Sequence, residues 1–288
     1  MGIEKEPQLK SKSVVEESLE IENYSRKERV AALAEMSRLK KSFSKELKKP
    51  RSKAEKIGLI KQRFDSSANP EKVSKFLGNN SESIDAIFSI ALLGEFLWGK
   101  EGYQHEDFYI YDKFPEAKGE EKIMKRSEYL KKHGYNNLHK TLIKKTGDCN
   151  RLGTILIGLA QANNIPLKAF ACESHFATAI QVGGKKVMLD TGRGRLFFAE
   201  DFQKDYLWEG HSLTLGDNDR VLVENLRDEF LTTLVGPNTM GKGEVSAEEV
   251  ARLRKMAKRL LEMNIGKIYG EKHEKYIQNV LEIIDIDN

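Results

Sequence analysis

The most regular apolar pattern in the chain follows Asp148. Apolar residues there recur at the spacing of one helix face, namely Leu152, Ile155, Leu156, Leu159 and Ala160. Asp148 has a side chain that caps helix N-termini, whereas Asn163-Asn164 followed by Pro166 is typical of a helix end. The pattern therefore predicts a helix that begins beside Cys149, ends near residue 163 and packs one face on a core.

Three short segments with strand-like composition come directly after this helix. They cover residues 167–171, 176–182 and 185–190. Gly183 and Gly184 separate the last two segments, and both tolerate the positive φ of a two-residue hairpin turn. A turn at these glycines pairs Val182 with Lys185. We therefore expect a small antiparallel sheet beside the helix, in a domain of the α+β class.

Helical signals dominate both ends of the chain. Ser25 and Glu28 have the spacing of a capping box and predict a helix that runs towards Lys48. Its apolar stripe is thin, so we expect an appendage and not a core helix. Ser246 begins a second capping box, and two further helices are expected from there to residue 284. The chain is thus divided into a basic helical arm at 1–63, a core domain at 64–235 and a C-terminal helical hairpin at 236–288.

Composition restricts the class of protein. The chain has 288 residues, of which 39% are apolar, and no apolar run reaches the roughly 18–20 residues that span a bilayer. Residues 1–12 are charged and lack the apolar segment of a secretory signal. Two cysteines are too few for a disulfide framework or a four-thiolate zinc site. These features indicate a cytoplasmic protein without a transmembrane segment.

Basic residues are concentrated near the N-terminus. Residues 1–63 hold 17 Lys and Arg against 10 Asp and Glu, although the whole chain has a net charge of only +4. An anionic partner for this arm, such as a nucleic acid, an anionic membrane or an acidic protein, is one interpretation. A solvated arm is the other, and the near absence of aromatic residues among the basic ones favours it.

Cys149 is the first candidate for chemistry. In the first turn of its helix, a thiol lies beside unpaired backbone N–H groups and the positive end of the helix dipole. Such a position can lower a thiol pKa from about 8.5 to roughly 3.5–7.5, and the thiolate is the nucleophilic form. Cys149 also falls on the apolar stripe, three residues before Leu152. The alternative is a buried cysteine with a purely structural role.

His175 and Asp190 complete a candidate catalytic triad. The hairpin register pairs Asp190 with Ala177 and sets His175 opposite Gly192. His175 and Asp190 are then diagonal neighbours on one face of adjacent strands, about 7–8 Å apart at the backbone and within reach of a hydrogen bond. The other residues of that face are small or flexible, namely Ala177, Ala179 and Met188. We expect the Cys149 helix to pack on this face.

The roles of the triad follow from the chemistry of thiol enzymes. His175 takes the proton of Cys149 and later protonates a leaving amine, while Asp190 orients the imidazole. The backbone N–H of Cys149 is one oxyanion donor. Candidates for a second donor are Trp98, Tyr135, Asn136 and Asn137.

Four motifs of this region resemble those of the transglutaminase-like superfamily. They are Gly147-Asp148-Cys149, the helix exit at 160–167, His175-Phe176-Ala177 and Val187-Met188-Leu189-Asp190. The spacings of 26 residues from Cys149 to His175 and 15 from His175 to Asp190 also fit. The resemblance is closest to bacterial and archaeal transglutaminase-like proteins with a helical tail. It implies a papain-like core, with a nucleophile helix packed on a small antiparallel sheet, and helical extensions at both ends.

The resemblance also implies an activity, which two departures modify. Asn150 follows Cys149 where animal transglutaminases have Trp, and Phe176 replaces Ala in the His-Ala-Trp motif. No calcium-site pattern accompanies them. We therefore expect a thiol-dependent amide hydrolase (a peptidase, deamidase or amidase) that acts on a protein or peptide through a Cys149 acyl-enzyme, without metal or other cofactor. The alternatives are a transglutaminase-type acyltransferase and a non-catalytic papain-like binding scaffold.

Three further patterns of polar residues allow a functional and a plainer structural interpretation. Cys172 and His175 have a metal-ligand spacing, but they supply two ligands, and a single strand would turn them to opposite faces. Arg193 and Arg195 suit either a substrate carboxylate or a basic turn, and the turn is favoured. The remaining histidines lack a partner pattern and are expected at the surface; they are His105, His133, His139, His211 and His273.

Overall fold

The computed structural model describes most of the chain between residues 13 and 286. The described ranges are 13–21, 25–105, 137–172, 175–201, 214–215, 226–227, 230, 247–266 and 271–286. The sequence pattern predicts two further helices, at 122–132 and 221–234. The first lies outside the described ranges, and only residues 226–227 and 230 of the second are described.

The chain is a mixture of helices and strands in an α+β arrangement. The first helices are α1 (Val14–Ile21), α2 (Arg26–Leu47), α3 (Lys53–Arg63), α4 (Pro70–Asn79) and α5 (Ile84–Gly94), and α5 continues as a π-helical turn, Glu95–Lys100. The central elements are β1 (Gln104–His105), α6 (Leu138–Lys144), β2 (Thr146–Gly147) and α7 (Cys149–Ala162). Then come β3 (Lys168–Cys172), β4 (His175–Val182), β5 (Lys185–Asp190), β6 (Leu196–Phe198), β7 (Thr214–Leu215), α8 (Ala247–Glu262) and α9 (Glu271–Ile286).

The antiparallel sheet has the register that the hairpin glycines predict. Its strand order is β6-β5-β4-β3-β7, and every neighbouring pair is antiparallel. Val182 pairs with Lys185, and Ala177 pairs with Asp190. Gly183 and Gly184 have φ values of 52° and 74°, the left-handed conformation that a two-residue turn of this kind requires. The local turn chemistry thus fixes which residues share each face of the sheet.

Helix α7 is the centre of the molecule. It begins at Cys149 with Asp148 as the N-cap, as predicted, because the Asp148 carboxylate accepts the Arg151 backbone N–H at 2.8 Å. Two glycines on different sides of α7 allow close neighbours. A Cβ at Gly153 would lie 2.2 Å from the Phe176 ring of β4, and a Cβ at Gly158 would lie 2.5 Å from Val15 of α1. The helix is therefore enclosed by the sheet and the N-terminal helices.

The sheet face on which α7 packs differs from the expected one. Gly153 contacts Phe176, and the α7 side chains share one apolar cluster with Ile180 and Leu189. The small-residue face, with Ala177 and Met188, instead belongs to a separate cluster with Phe197. The prediction failed because large aliphatic side chains give a buried helix more apolar contact than alanines do. Gly153 of α7 lets the helix approach the sheet closely even where the sheet residue is large, so a face of small residues is not needed.

The N-terminal helices belong to the core, contrary to the expected appendage. Helix α2 begins with the predicted capping box of Ser25 and Glu28. It buries Ala32, Met36, Leu39 and Phe43 in the cluster that contains α7 and the sheet. The stripe is thin, but its members are fully enclosed because α7 is apolar on nearly all sides. Residue 63 is therefore not a boundary between separate cores.

The C-terminal helices have a small core of their own. Leu253, Met256 and Leu260 of α8 pack against Ile277 and Val280 of α9. Leu226 and Phe230 also belong to this cluster, although residue 235 was expected to separate them from it. Asn264 closes α8 with a φ of 60°. None of the helices in the described ranges has the length and apolar character needed to span a membrane.

Replacing Phe43 by Ala tests whether α2 is a core helix. The Phe43 ring is fully buried and lies 5.3 Å from the Phe96 ring, centroid to centroid. We expect Phe43→Ala to lower the free energy of unfolding by about 3–5 kcal/mol, measured by urea denaturation. The matched control is Lys45→Ala, an exposed position of the same helix, where the loss should stay within about 0.5 kcal/mol. Equal, small losses in both variants would contradict a core role for α2.

Candidate functional site

Cys149 is the half-buried first residue of an otherwise enclosed helix. Residues 151–160 of α7 are all buried, whereas Cys149 keeps partial access to solvent. Its sulfur lies 3.8 Å from Oδ1 of Asn150. As the first residue after the N-cap, Cys149 adjoins the N–H groups and the positive dipole end of α7. Both features favour a thiolate in general, whereas the contact in which the Cys149 thiol donates to Asn150 Oδ1 requires the protonated form.

The start of α7 lies at the same end of the sheet as the start of β4. Gly153, four residues after Cys149, touches the ring of Phe176, which is the second residue of β4. Residues four apart lie on one side of a helix, about 6 Å apart along its axis. Cys149 is therefore one helical turn from the Gly153–Phe176 contact, and His175 directly precedes Phe176.

His175 and Asp190 occupy diagonal positions on neighbouring strands. His175 is the first residue of β4, where it pairs with Cys172 of β3, and Asp190 is the last residue of β5. Asp190 lies opposite Ala177, two residues along β4 from His175. The backbone relation that the hairpin register predicts is thus present for Asp190. The side chain of His175 lies outside the described part of the structure.

The Asp190 carboxylate is buried and held by its own turn. Asp190 is only 1% exposed. Its two carboxylate oxygens accept hydrogen bonds from the backbone N–H groups of Gly192 at 3.0 Å and Arg193 at 3.1 Å. Such bonds fix the orientation of the carboxylate. A carboxylate has about four acceptor positions, so two turn N–H groups do not exhaust it.

Helices α3 and α5 clamp this turn from outside. Nε1 of Trp98 donates to the Gly192 carbonyl at 3.2 Å, and the Arg63 guanidinium donates to the Gly194 carbonyl. Gly194 has a φ of 61°, and a Cβ there would come within 2.6 Å of the Trp98 ring. Burial lowers the pKa of Arg63, an effect opposed by Glu95 at 3.1 Å. The segment that carries Asp190 is thereby fixed to the N-terminal helices.

Arg195 also contributes to the clamp. Its Nη1 donates to the Gln62 carbonyl at 2.9 Å. The backbone N–H of Arg193 donates to Asp190. These contacts agree with the favoured interpretation of the segment as a basic turn, in which Arg195 has a structural role.

A second histidine adjoins the start of α7. His105 was expected at the surface, but it is only 6% exposed. Strand β1 pairs in parallel with β2, so that His105 lies opposite Gly147, two residues before Cys149. Neighbouring strands lie about 4.8 Å apart, so the backbone of His105 adjoins that of Gly147, just before the start of α7. No local sequence signal indicated this position, because β1 and β2 are only two residues long.

Ion pairs of the buried Glu101 carboxylate with two partly exposed cations hold the β1–β2 pair in place. The Glu101 side chain, just before β1, binds Arg38 of α2 at 2.5 Å and Lys145, just before β2, at 3.1 Å. The hydrogen bond from Arg38 lowers the pKa of Glu101, and Lys145 lowers it further. Gln104 N–H donates to the Lys145 carbonyl at 2.9 Å. The backbone beside Cys149 is therefore fixed from two sides.

Two of the expected oxyanion donors are engaged elsewhere. Asn137 is the N-cap of α6, where its side chain accepts the Lys140 N–H at 3.0 Å. Trp98 donates its indole N–H to Gly192. Tyr135 and Asn136 lie outside the described residues.

The relation of Cys172 to His175 also differs from the expected one. They do not lie on one strand: Cys172 ends β3, His175 begins β4, and the two are cross-strand partners. Cross-strand partners share a face of a sheet, so the prediction that they lie on opposite faces is wrong. Among the described residues, no group of three or more His, Cys, Asp and Glu is arranged to hold a metal ion.

Acidic residues of the same fold neutralise part of the basic run. The Arg63 guanidinium binds Glu95, an acid outside residues 1–63, at 3.1 Å. Lys56 binds Asp85 at 2.6 Å. The charge excess of the N-terminal segment is thus smaller at the surface than the sequence indicates, and an anionic partner for it stays a prediction.

Comparison of the chain with known proteins gave no match, whether with protein-family models, with curated proteins or with solved structures. Function is therefore inferred from the residues and contacts of the site.

The ion pairs of Glu46 predict an acid-dependent loss of stability. Hydrogen bonds from Lys100 and then Lys49 lower the pKa of Glu46 to about 2. Because the pKa is lower in the folded state, the stabilisation is present above the unfolded value near 4.3 and disappears as pH falls towards 2. We expect Glu46→Gln to lower the free energy of unfolding at pH 7 by about 1 kcal/mol or less, since both lysines are exposed.

Urea denaturation of Glu46→Gln and the parent protein at several pH values measures this difference. The two curves should converge near pH 2. Glu82→Gln, at an exposed position, is the control and should show no comparable pH dependence. A difference between Glu46→Gln and parent that is constant from pH 7 to pH 2 would contradict the ionic origin of the effect.

Proposed function

We propose that this protein is a thiol-dependent amide hydrolase of the transglutaminase-like type, with Cys149 as the nucleophile. The contact of Gly153 with Phe176 is the observation that carries the proposal, since it brings the start of α7 to the end of the sheet where His175 begins β4. The partial exposure of Cys149 in an enclosed helix supports it as well. The motifs around these residues, which resemble those of that superfamily, are a second, independent support.

The proposed reaction proceeds through an acyl-enzyme. His175 takes the proton of the Cys149 thiol, and the thiolate attacks the amide carbonyl carbon, whose oxygen becomes an oxyanion. When the C–N bond breaks, the imidazolium gives its proton to the departing amine, which leaves a thioester on Cys149. Water, deprotonated by His175, then attacks the thioester and releases a carboxylic acid and the free thiol. An amine in place of water would give transglutamination.

Asp190 is the proposed orienting acid. Its burial and its bonds to the turn N–H groups hold a carboxylate in one position, which is what the orientation of an imidazole requires. The clamp from Trp98 and Arg63 supports that position from outside. Asp190 pairs with Ala177 on the sheet face opposite to the one that α7 covers. The proposed triad therefore requires the His175 imidazole to meet Cys149 beyond the end of β4.

His105 is the proposed second oxyanion donor. The first donor is the backbone N–H of Cys149, as in other thiol hydrolases that use a helix start. His105 is buried and lies opposite Gly147, two residues before Cys149. A neutral imidazole carries one N–H donor. The ion pairs of Glu101 fix β1, and a rigid donor suits the stabilisation of a transient charge.

A non-catalytic binding scaffold is the second candidate. Two turn N–H groups bind the Asp190 carboxylate, and α7 packs on the sheet face opposite to Ala177. In this case Asp190 would only stabilise the turn after β5, and Cys149 would be an ordinary helix residue. The reactivity of the Cys149 thiol distinguishes the two candidates.

Alkylation by iodoacetamide across pH tests the nucleophile. If His175 and the helix dipole stabilise the thiolate, Cys149 should react at pH 6 at least about ten times faster than N-acetylcysteine, because more of it is ionised. His175→Ala should remove most of this advantage. Mass spectrometry of the Cys149 peptide measures the rate site by site.

Cys172→Ala in the same assay ensures that the signal comes from Cys149. His139→Ala is the matched histidine control, since His139 is half-buried on α6 and has no proposed role in catalysis. Reaction no faster than N-acetylcysteine, with no effect of His175→Ala, would overturn the hydrolase and favour the scaffold.

Comparing acylation with alkylation tests His105. Acylation by p-nitrophenyl acetate passes through an oxyanion, whereas alkylation by iodoacetamide needs only the thiolate. We expect His105→Ala to lower the acylation rate about 10²–10³-fold, the usual effect of losing one oxyanion donor, and to leave alkylation unchanged. His105→Gln, which keeps an N–H donor, should recover part of the rate.

Cys149→Ala supplies the background rate of ester hydrolysis. Equal losses of acylation and alkylation in His105→Ala would mean that His105 acts on the thiolate or on folding. Unchanged acylation would remove His105 from the site while leaving the proposal for Cys149 intact.

A further inference from the structure

A cavity of about 270 Å³ lies in the C-terminal part of the molecule. Phe230, Ile265 and Ile277 line it, and these residues are buried. Tyr276, which is 45% exposed, lines it as well and marks its opening. None of the described lining residues belongs to α7 or the sheet, so these residues form a site separate from Cys149. Its apolar wall and exposed aromatic side chain are typical of a small-molecule pocket.

Basic side chains supply the polar part of the cavity lining. Arg227, Lys272 and His273 line it, and no acidic residue is among the described lining residues. Lys272 and His273 lie in the first turn of α9, where the helix dipole adds positive potential. The electrostatic environment of the cavity therefore suits a negatively charged group.

The acids of the same turn are not among the described lining residues. The Glu274 carboxylate lies against Gly266, so close that a Cβ at Gly266 would be 1.9 Å from its oxygen. The carboxylate also accepts a hydrogen bond from Nε2 of Gln278 at 3.4 Å. Glu271 is exposed and is not part of the lining. Lys272 and Tyr276, four residues apart, lie on one side of α9. A cation and an aromatic ring thus border the same cavity.

The volume limits the ligand to a small molecule. Water occupies about 30 Å³ per molecule in the liquid, so the cavity has room for roughly nine waters, or for one ring with a short acidic substituent. Pockets for drug-sized ligands begin at about 300 Å³.

We propose that the cavity binds a small aryl or acyl anion, with a carboxylate or phosphate as its charged group. The charged group contacts Lys272 and Arg227, since guanidinium and ammonium groups form strong, charge-assisted hydrogen bonds with such oxygens. The apolar body fills the space between Phe230 and Ile277, and Tyr276 covers it at the opening. This inference is independent of the chemistry proposed at Cys149.

Titration of the full chain with a matched pair of ligands tests the proposal. Phenylacetate has the charged group and the ring, whereas phenylacetamide has the same shape without the charge. We expect phenylacetate to bind at millimolar concentration or better and at least about ten times more tightly than phenylacetamide, because a hydrogen bond to a charged group is worth about 1.5–3 kcal/mol. Shifts of backbone amide signals at Ile265 and Ile277, seen by NMR, locate the site. Phenyl phosphate in a third titration tells which charged group is preferred, and binding of either anion supports the proposal.

Two variants of exposed residues on one helix provide the control. Lys272→Gln should weaken phenylacetate binding about ten-fold, while Lys275→Gln, three residues on and outside the lining, should change it less than two-fold. Tyr276→Ala should weaken phenylacetate and phenylacetamide alike. Equal affinity of the two ligands, equal effects of the two lysine variants, or no binding by any of the ligands would each overturn the proposal.

Discussion

The close approach of helix α7 to strand β4 is the contact on which the architecture depends. Gly153 lies against the Phe176 ring with no space for a Cβ, and Gly158 allows α1 and α2 to approach from another side. A helix enclosed in this way must be apolar almost all round. Residues 151–160 meet this requirement, with Arg151 and Thr154 as the two polar exceptions. The two ends of α7 reach solvent, with Cys149 and Asn150 at the start and Gln161 and Ala162 at the end. The thiol of Cys149 keeps partial access to solvent because Cys149 lies at the start of the helix.

The second constraint acts on the turn after β5. A buried carboxylate is stable only when hydrogen bonds compensate its desolvation, and the Asp190 turn supplies two from its own backbone. Contacts from Trp98 and Arg63 then fix the turn to α5 and α3. The N-terminal helices therefore contribute to the geometry of the site as well as to the core. Damage to α3 would disturb the position of Asp190 without touching any residue of the proposed triad.

Local signals in the sequence predicted local structure well. The cap at Asp148, the capping box at Ser25 and the hairpin glycines each determine the conformation of a few neighbouring residues, and each lies where it was expected. The hairpin turn alone predicted the pairing of Ala177 with Asp190, because a two-residue turn fixes the register of its two strands. The helix bounds of α7 followed from its apolar period in the same way.

The sequence by itself thus determined the elements, their ends and the face shared by Asp190 and Ala177, since these depend on interactions between residues close along the chain. Only the tertiary structure decided the sheet face that α7 covers, the inclusion of α2 in the core and the burial of His105 beside Gly147. Each of these depends on contacts between segments far apart in sequence, where steric fit and buried area select among arrangements that local patterns allow equally. Cys149 was identified from its place at a helix start, but its surroundings came from the packing of the whole chain.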